Sequence, residues 1–347
     1  MSLSDNDRIT ITEVAERAGV SIATVSRVMN RKGRYSQSTY RKVKAAAREL
    51  GYVPDDRARG LKSGRTEQVA LAVADIGNPV YVAMARAIQQ CLKEYGYRLV
   101  LLSTEASVDE EIRIVRSLAR NYVDGLIICP LLYGEPHKAE FLRARLPLVM
   151  IGGEGEQTPV DSVWVDSSLG MKLAVDHLLE QGYTGVAFVN GPVETVPGAS
   201  RRRGYEAALI EHGLPFDEHS IVYEDFTLLG GYRAASRLLK RAELPQAVVA
   251  ANDLMALGVL RRISEAGIRV PQDLAIVGMD DIEQARIALP ALTSVSLQAS
   301  ERGRIAAELM LKRLRSFHEG EANNAPVRVQ VSPRLVVRES SVTHRTL

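Results

Sequence analysis

A chain of 347 residues, 46% hydrophobic and 25% charged, has the composition of a soluble globular protein and is too long for one ordinary small domain. Its net charge of +2 conceals a division, because residues 1–65 hold 14 Lys and Arg against 7 Asp and Glu, and the remainder holds 30 against 35. A basic excess confined to one end suits a module that neutralises phosphates, carried by a body that does not. Cys91 and Cys129 have no metal-ligand spacing and make no disulfide framework, so they read as buried free thiols of a reducing compartment. The opening MSLSDNDR lacks an apolar signal core and the apolar runs are too short for a bilayer, so a cytoplasmic protein without membrane contact is expected.

In chain order, Thr10 and Glu13 make a T-x-x-E capping box, after which Ile11, Val14, Ala15 and Ala18 share one helical face. Gly19 ends this helix in a tight turn, and Ser21 can cap a second helix whose Val25 and Val28 face the first. Two short helices joined so closely form a helix-turn-helix, whose second helix enters the DNA major groove. Its solvent-facing start is Ile22, Ala23, Thr24 and Arg27, although an apolar Ile22 would otherwise simply pack. Thr10, Ser21, Thr24, Ser26, Asn30 and Ser36 carry hydroxyl or amide groups near helix ends and read as phosphate-positioning. Ser36 caps a third helix with Tyr40, Val43, Ala47 and Leu50 inward and Gly51 at its end. Pro54 then opens a basic, small and polar connector, DDRARGLKSGRT, which by composition is a flexible linker.

From Val69 the texture becomes strand, loop, helix, repeated. Candidate strands are 69–74, 98–103 and 125–130, then 162–165, 185–190, 220–224, 247–251 and 274–279. Candidate helices are 80–95, 109–120, 168–181, 200–212, 229–241 and 253–266, followed by a strand at 294–297, a helix at 300–315 and a strand-like 327–337. Near-continuous apolar strands alternating with amphipathic helices predict parallel sheets covered on both faces. The expected fold is α/β: a three-helix headpiece plus two doubly wound subdomains of periplasmic-binding-protein type, with a cleft between them at the carboxyl ends of their strands. The expected boundaries are 1–54 for the headpiece, 55–66 for the hinge, 67–161 with 294–322 for one subdomain, 162–293 with 323–341 for the other, and 342–347 for a tail. The chain is expected to cross between subdomains more than once. Trp164, the only tryptophan, reads as core of the second.

Catalytic patterns are missing. GGEGEQ at 152–157 does not open a helix as G-x-G-x-x-G, no G-K-[ST] loop occurs, and the six histidines are dispersed without a ligand pair. No metal and no cofactor is expected.

Ten blocks carry a resemblance: AGVSIATVSRVMN, ARELGYVP, RARGLKSGRT, ADIGNPVY, VDGLIICP, VWVDSSLG, RRRGY, ANDLMALGV, VGMDDIE and PALTSV. In this order, over almost the whole length, the chain resembles the lactose-repressor/galactose-repressor (LacI/GalR) transcription regulators. The resemblance implies Ile22 and Ala23 as the base-reading pair, and a hinge around Arg57, Ala58 and Leu61 that folds on DNA, with Leu61 wedged into the minor groove. It implies a homodimer on a pseudo-palindromic double-stranded operator. It also implies a sugar-like effector in the cleft, held by Asp75, Asn78, Tyr81, Arg201, Phe226, Asn252, Asp253 and Asp280. The local alternative for Asp253 is to cap its helix. Two departures stand out: Asp55 follows Pro54 where the family has Asn, and Leu297 stands where it has Gln, with Gln298 next. Alternatives to a repressor are a sugar receptor without a gene-regulatory role and a sugar-modifying enzyme.

Overall fold

The computed structural model describes residues 9–29, 33–52, 65–118, 122–153, 158–320 and 325–342. The chain forms two units, Met1–Thr66 and Glu67–Leu347. In the first, α1 (Ile11–Ala18) begins at Thr10, whose hydroxyl accepts from the Glu13 N–H at 3.4 Å while its own N–H donates to Glu13 Oε2 at 2.6 Å. The Thr10 N–H and hydroxyl, both donating to Glu13 Oε2, hold the Glu13 carboxyl below its ordinary pKa. Gly19 closes α1 at φ 63°, a left-handed turn open to glycine, and α2 (Ile22–Met29) follows. The Ser36 hydroxyl caps α3 (Gln37–Glu49) by accepting from Thr39 N–H at 3.1 Å. Val14, Ala15, Val25, Val28, Val43, Ala46 and Ala47 form the small core between the three helices.

The second unit starts with β1 (Gln68–Val73), α4 (Pro79–Glu94), β2 (Arg98–Ser103), α5 (Val108–Leu118), β3 (Gly125–Cys129), α6 (Glu135–Arg143), β4 (Leu148–Ile151) and β5 (Asp161–Val165). It continues with α7 (Ser167–Glu180), β6 (Val186–Asn190), α8 (Val196–Glu211), β7 (Ile221–Tyr223), α9 (Leu228–Leu238), β8 (Ala247–Ala250), α10 (Asp253–Glu265), β9 (Ala275–Met279), α11 (Glu283–Ile287) and β10 (Thr293–Ser296). The last elements are α12 (Ala299–Glu319), β11 (Arg328–Val331) and β12 (Arg334–Val336).

Two six-stranded sheets result, ordered β11-β5-β4-β3-β1-β2 and β12-β10-β9-β8-β6-β7. All their pairings are parallel except β12 on β10. Helices α4 and α12 cover one face of the first sheet, and α5 and α6 the other. Central strands such as β3 are therefore wholly buried, whereas the edge strand β2 is not.

The expected subdomain boundaries are displaced. β5, with Trp164 half-buried in it, extends the first sheet, and β10 pairs with β9 in the second. The strand-like 327–337 is two strands in different sheets, cut at Ser332–Pro333, because proline has no N–H to continue a ladder. Among the described residues the chain thus passes between sheets three times, after β5, after β10 and after β11. Hydrophobic periodicity says that a segment is a strand, not which sheet it joins. Helix α6 and strand β4 were absent from the sequence reading. Helix α8 begins four residues earlier than expected, capped by the Thr195 hydroxyl at the Gly198 N–H, 3.1 Å away.

Candidate functional site

In the first unit α2 turns Val25 and Val28 inward and leaves Ser21, Ile22, Ala23 and Arg27 exposed, with Thr24 and Ser26 half-buried. Ile22 is 47% exposed, so it does not serve the core. The Ser21 hydroxyl accepts from Thr24 N–H at 3.2 Å and fixes the start of the helix. Arg27 Nε donates to the Ala23 carbonyl at 3.3 Å, laying the guanidinium along the same ridge. This ridge offers apolar contact at its first turn and positive charge at its second, a combination suited to thymine methyls and to guanine or phosphate oxygens. Thr10 and Ser36 are exposed and use their hydroxyls as caps. Asn30, Arg57, Ala58 and Leu61 lie outside the described residues.

In the second unit a cleft of about 680 Å³ is lined by the segments that follow strands β1 to β10. Doubly wound sheets place their loops there, so side chains from distant parts of the sequence converge. Asp75, Asn78, Tyr81, Arg201, Phe226, Asn252 and Asp280 all line it. Asn78 caps α4, its Oδ1 accepting from Val80 N–H at 3.1 Å, and the exposed Asp75 accepts from Gly77 N–H at 2.7 Å. Arg201 is 7% exposed; its Nη1 donates to the Ala251 carbonyl at 2.8 Å and its guanidinium carbon stands 5.8 Å from the Phe226 ring centroid. Asn252 caps α10 at Met255 N–H (2.8 Å) and donates to the Phe226 carbonyl at 3.0 Å, tying two cleft loops together. Gly191 lies against the Phe226 ring, where a Cβ would collide with it.

Burial raises the Asp280 carboxyl to about 6 against the pull of Arg201 and Arg302, and pushes the Cys129 thiol to about 11. Burial likewise holds the Tyr81 phenol well above its usual range, so it enters the cleft as a neutral donor. The wall is amphipathic: Ile76, Pro130, Leu131, Val196 and Leu297 supply apolar surface between these polar groups.

Asp253 is a correction. It is fully buried, does not line the cleft, and does not cap α10, a task that falls to Asn252. Its carboxylate accepts from Ile282 N–H at 2.9 Å and from the Ser294 hydroxyl at 2.6 Å, locking β9 and β10 beside the cleft. Burial raises its carboxyl well above the usual range. After β10 it is Leu297 that lines the cleft, whereas the neighbouring Gln298 adopts φ 55° before α12 and does not. Sequence reading also missed Arg302, which lines the cleft at 7% exposure. A signal was present: Arg302 has the same helical phase as Ala299, Ala306 and Leu309, all buried, so a charge interrupts an apolar face.

Both cysteines are free, no group of His, Cys, Asp and Glu among the described residues could hold a metal, and no helix among them is long and apolar enough to cross a membrane.

Comparisons with known proteins give the family of the chain. Residues 10–55 match the family model "Bacterial regulatory proteins, lacI family", and residues 175–341 match "Periplasmic binding protein-like domain". The ribose operon repressor of Escherichia coli (strain K12) is 34% identical over 333 residues, covering 96% of this chain and 99% of that one. A solved complex of the transcriptional regulator CelR with cellobiose is 36% identical at a TM-score of 0.71, covering 96% and 100%. The lac repressor dimer bound to operator and the anti-inducer ONPF is 28% identical at a TM-score of 0.83, covering 97% and 100%.

Proposed function

Because this chain belongs to the lacI family of bacterial regulatory proteins, we propose that it is a cytoplasmic, homodimeric repressor whose hold on its operator is set by a small sugar-like effector. It is a DNA-binding transcriptional regulator. Ile22 and Ala23 read bases, Arg27 and the polar groups at the helix ends position phosphates, and Leu61 wedges into the minor groove between two half-sites. One headpiece makes a small contact, and two held together gain effective concentration on a pseudo-palindromic site.

The effector half rests on one observation: Arg201, Phe226 and Asp280 converge in a cleft at the strand ends of both sheets. An aromatic face beside a guanidinium and a carboxylate suits a sugar ring, which has an apolar face and hydroxyls that pair with forked donors and acceptors. Relatives named for ribose and solved with cellobiose are consistent with that chemistry. The effector binds the DNA-competent and incompetent arrangements differently, since equal affinity would shift nothing. This reading needs neither catalysis nor a cofactor.

The test selects an operator from random duplexes with the purified protein and measures its affinity with and without a panel of sugars. A change in operator affinity is expected with at least one sugar, and the sugar is expected to be recovered unaltered. Turnover would instead favour the enzyme reading, and sugar binding without any effect on DNA would favour a receptor.

A further inference from the structure

We propose that the effector carries an anionic group, a carboxylate or a phosphate on a sugar frame, and that Arg302 receives it together with Arg201. This rests on the reading of the cleft as an effector site. Arg302 is 7% exposed and lines the cleft, yet among the described residues no side chain or carbonyl accepts a hydrogen bond from its guanidinium. Its Nε is buried without a partner, as is the Nε of Arg201 in the same cleft. A buried cation without an acceptor costs free energy, and a folded protein keeps one where something else supplies the acceptor. That cost shows in Arg302 itself, where burial lowers the guanidinium below its ordinary value.

The local charge does not close without a ligand. The groups that act most strongly on Arg302 are Cys129 and Tyr81, a neutral thiol and phenol, Arg201, a second cation, and Asp280, a carboxylate. Asp280 answers to both arginines at once. Three further carboxylates line the cleft, Asp75, Glu105 and Asp225, but all are exposed, where water screens them, and Asp225 already pairs with Arg233 at 2.7 Å. The interior is therefore cationic and the mouth acidic. Arg302 also sits in the first turn of α12, whose preceding residue Gln298 gives no side-chain cap, so the positive end of a 21-residue helix adjoins it. Sugar hydroxyls can also pair with a forked guanidinium, but only a carboxylate or phosphate brings the negative charge that balances it along with two matching oxygens.

The test uses the full chain, with Arg302→Met removing the charge and Arg302→Lys keeping it without the fork. Melting temperatures are compared in phosphate and in chloride at equal ionic strength. Phosphate is expected to raise the wild-type melting temperature and to leave Arg302→Met where chloride does, while in chloride Arg302→Met melts no lower than the wild type. Glucose, glucuronate and glucose 6-phosphate, and ribose beside ribose 5-phosphate, are then titrated calorimetrically and in the operator assay. An acidic member is expected to bind more tightly than its neutral parent, by about thirtyfold or more, and to lose that margin in Arg302→Met and recover part of it in Arg302→Lys. Glucuronate against glucose 6-phosphate tells carboxylate from phosphoryl recognition, and either supports the proposal. Equal phosphate shifts in wild type and Arg302→Met overturn it, as does a neutral sugar that binds as tightly as its acidic counterpart. In that last case an effect of the neutral sugar on operator binding leaves the cleft reading standing, whereas sugars that bind without touching operator affinity defeat the cleft reading itself.

Discussion

Arg201 and Phe226 act as one unit: the guanidinium carbon lies 5.8 Å from the ring centroid, while Nη1 is tied to the Ala251 carbonyl at 2.8 Å. The loop after β7 thereby rests on a side chain from α8 that is itself anchored at the end of β8. Replacing Arg201 by Met is expected to weaken effector binding by about tenfold or more, with cooperative unfolding retained. Isothermal titration reads this, and unaltered affinity would move the site elsewhere.

Asn252 holds the same unit from below, through Met255 N–H and the Phe226 carbonyl. Asn252→Ala removes a helix cap and a loop tether together, and should destabilise the second unit by about 1–2 kcal/mol. Urea unfolding measures the loss, and effector affinity should fall with it because Phe226 is no longer fixed.

Asp253 predicts a different pattern. Asp253→Ala strands the Ile282 N–H and the Ser294 hydroxyl inside the protein, an expected cost of about 2–4 kcal/mol. Denaturant midpoints should drop sharply, whereas calorimetric affinity of the folded fraction should change little, since this carboxylate does not reach the cleft.

Asp280 supplies a pH dependence. Its carboxyl is raised from 3.8 to about 6, so between those values the folded chain holds a proton that the unfolded chain has released. Its contribution to stability therefore declines as pH rises from 3.8 to about 6 and is flat above. Binding runs the other way: a hydroxyl donates to the ionised form, so affinity for neutral sugars is expected to be constant above pH 7 and to fall below 6 by up to about tenfold per unit. Asp280→Asn should remove that slope in a titration series from pH 5 to about 8.

On the DNA side, Ile22→Ser should relax sequence preference at one base step by about 1–3 kcal/mol while leaving the salt dependence of binding intact. Arg27→Ala, by contrast, should lessen the salt slope, because its guanidinium is assigned to phosphate. Anisotropy of labelled duplexes at several salt concentrations separates the two.

Much of this architecture could be read from residue order. The capping box at Thr10 and Glu13, the glycine turn at Gly19 and the apolar phase of Val25 and Val28 are local signals, and local signals suffice for a three-helix unit. Most strands of the second unit were equally audible, because a parallel sheet buried on both faces needs continuous apolar runs, but the short β4 was not and β11 and β12 read as one. Their allocation was not: β5 and β10 look alike in sequence, and only long-range pairing tells that one closes the first sheet and the other extends the second. The same limit governs the site. Arg201 and Phe226 came from the family resemblance, whereas Arg302 required knowing that the buried face of α12 ends at the cleft. Asp253 has the residue type and neighbourhood of a ligand contact, and its true partners lie 29 and 41 residues away.

The most direct test of cleft control over DNA binding is operator affinity measured with and without a bound effector, in the wild type and in Arg201→Met. Expected is a ligand-dependent change of about fivefold or more in the wild type that is absent from Arg201→Met at the same ligand concentration. An operator affinity that stays the same in the wild type when the cleft is saturated would contradict it.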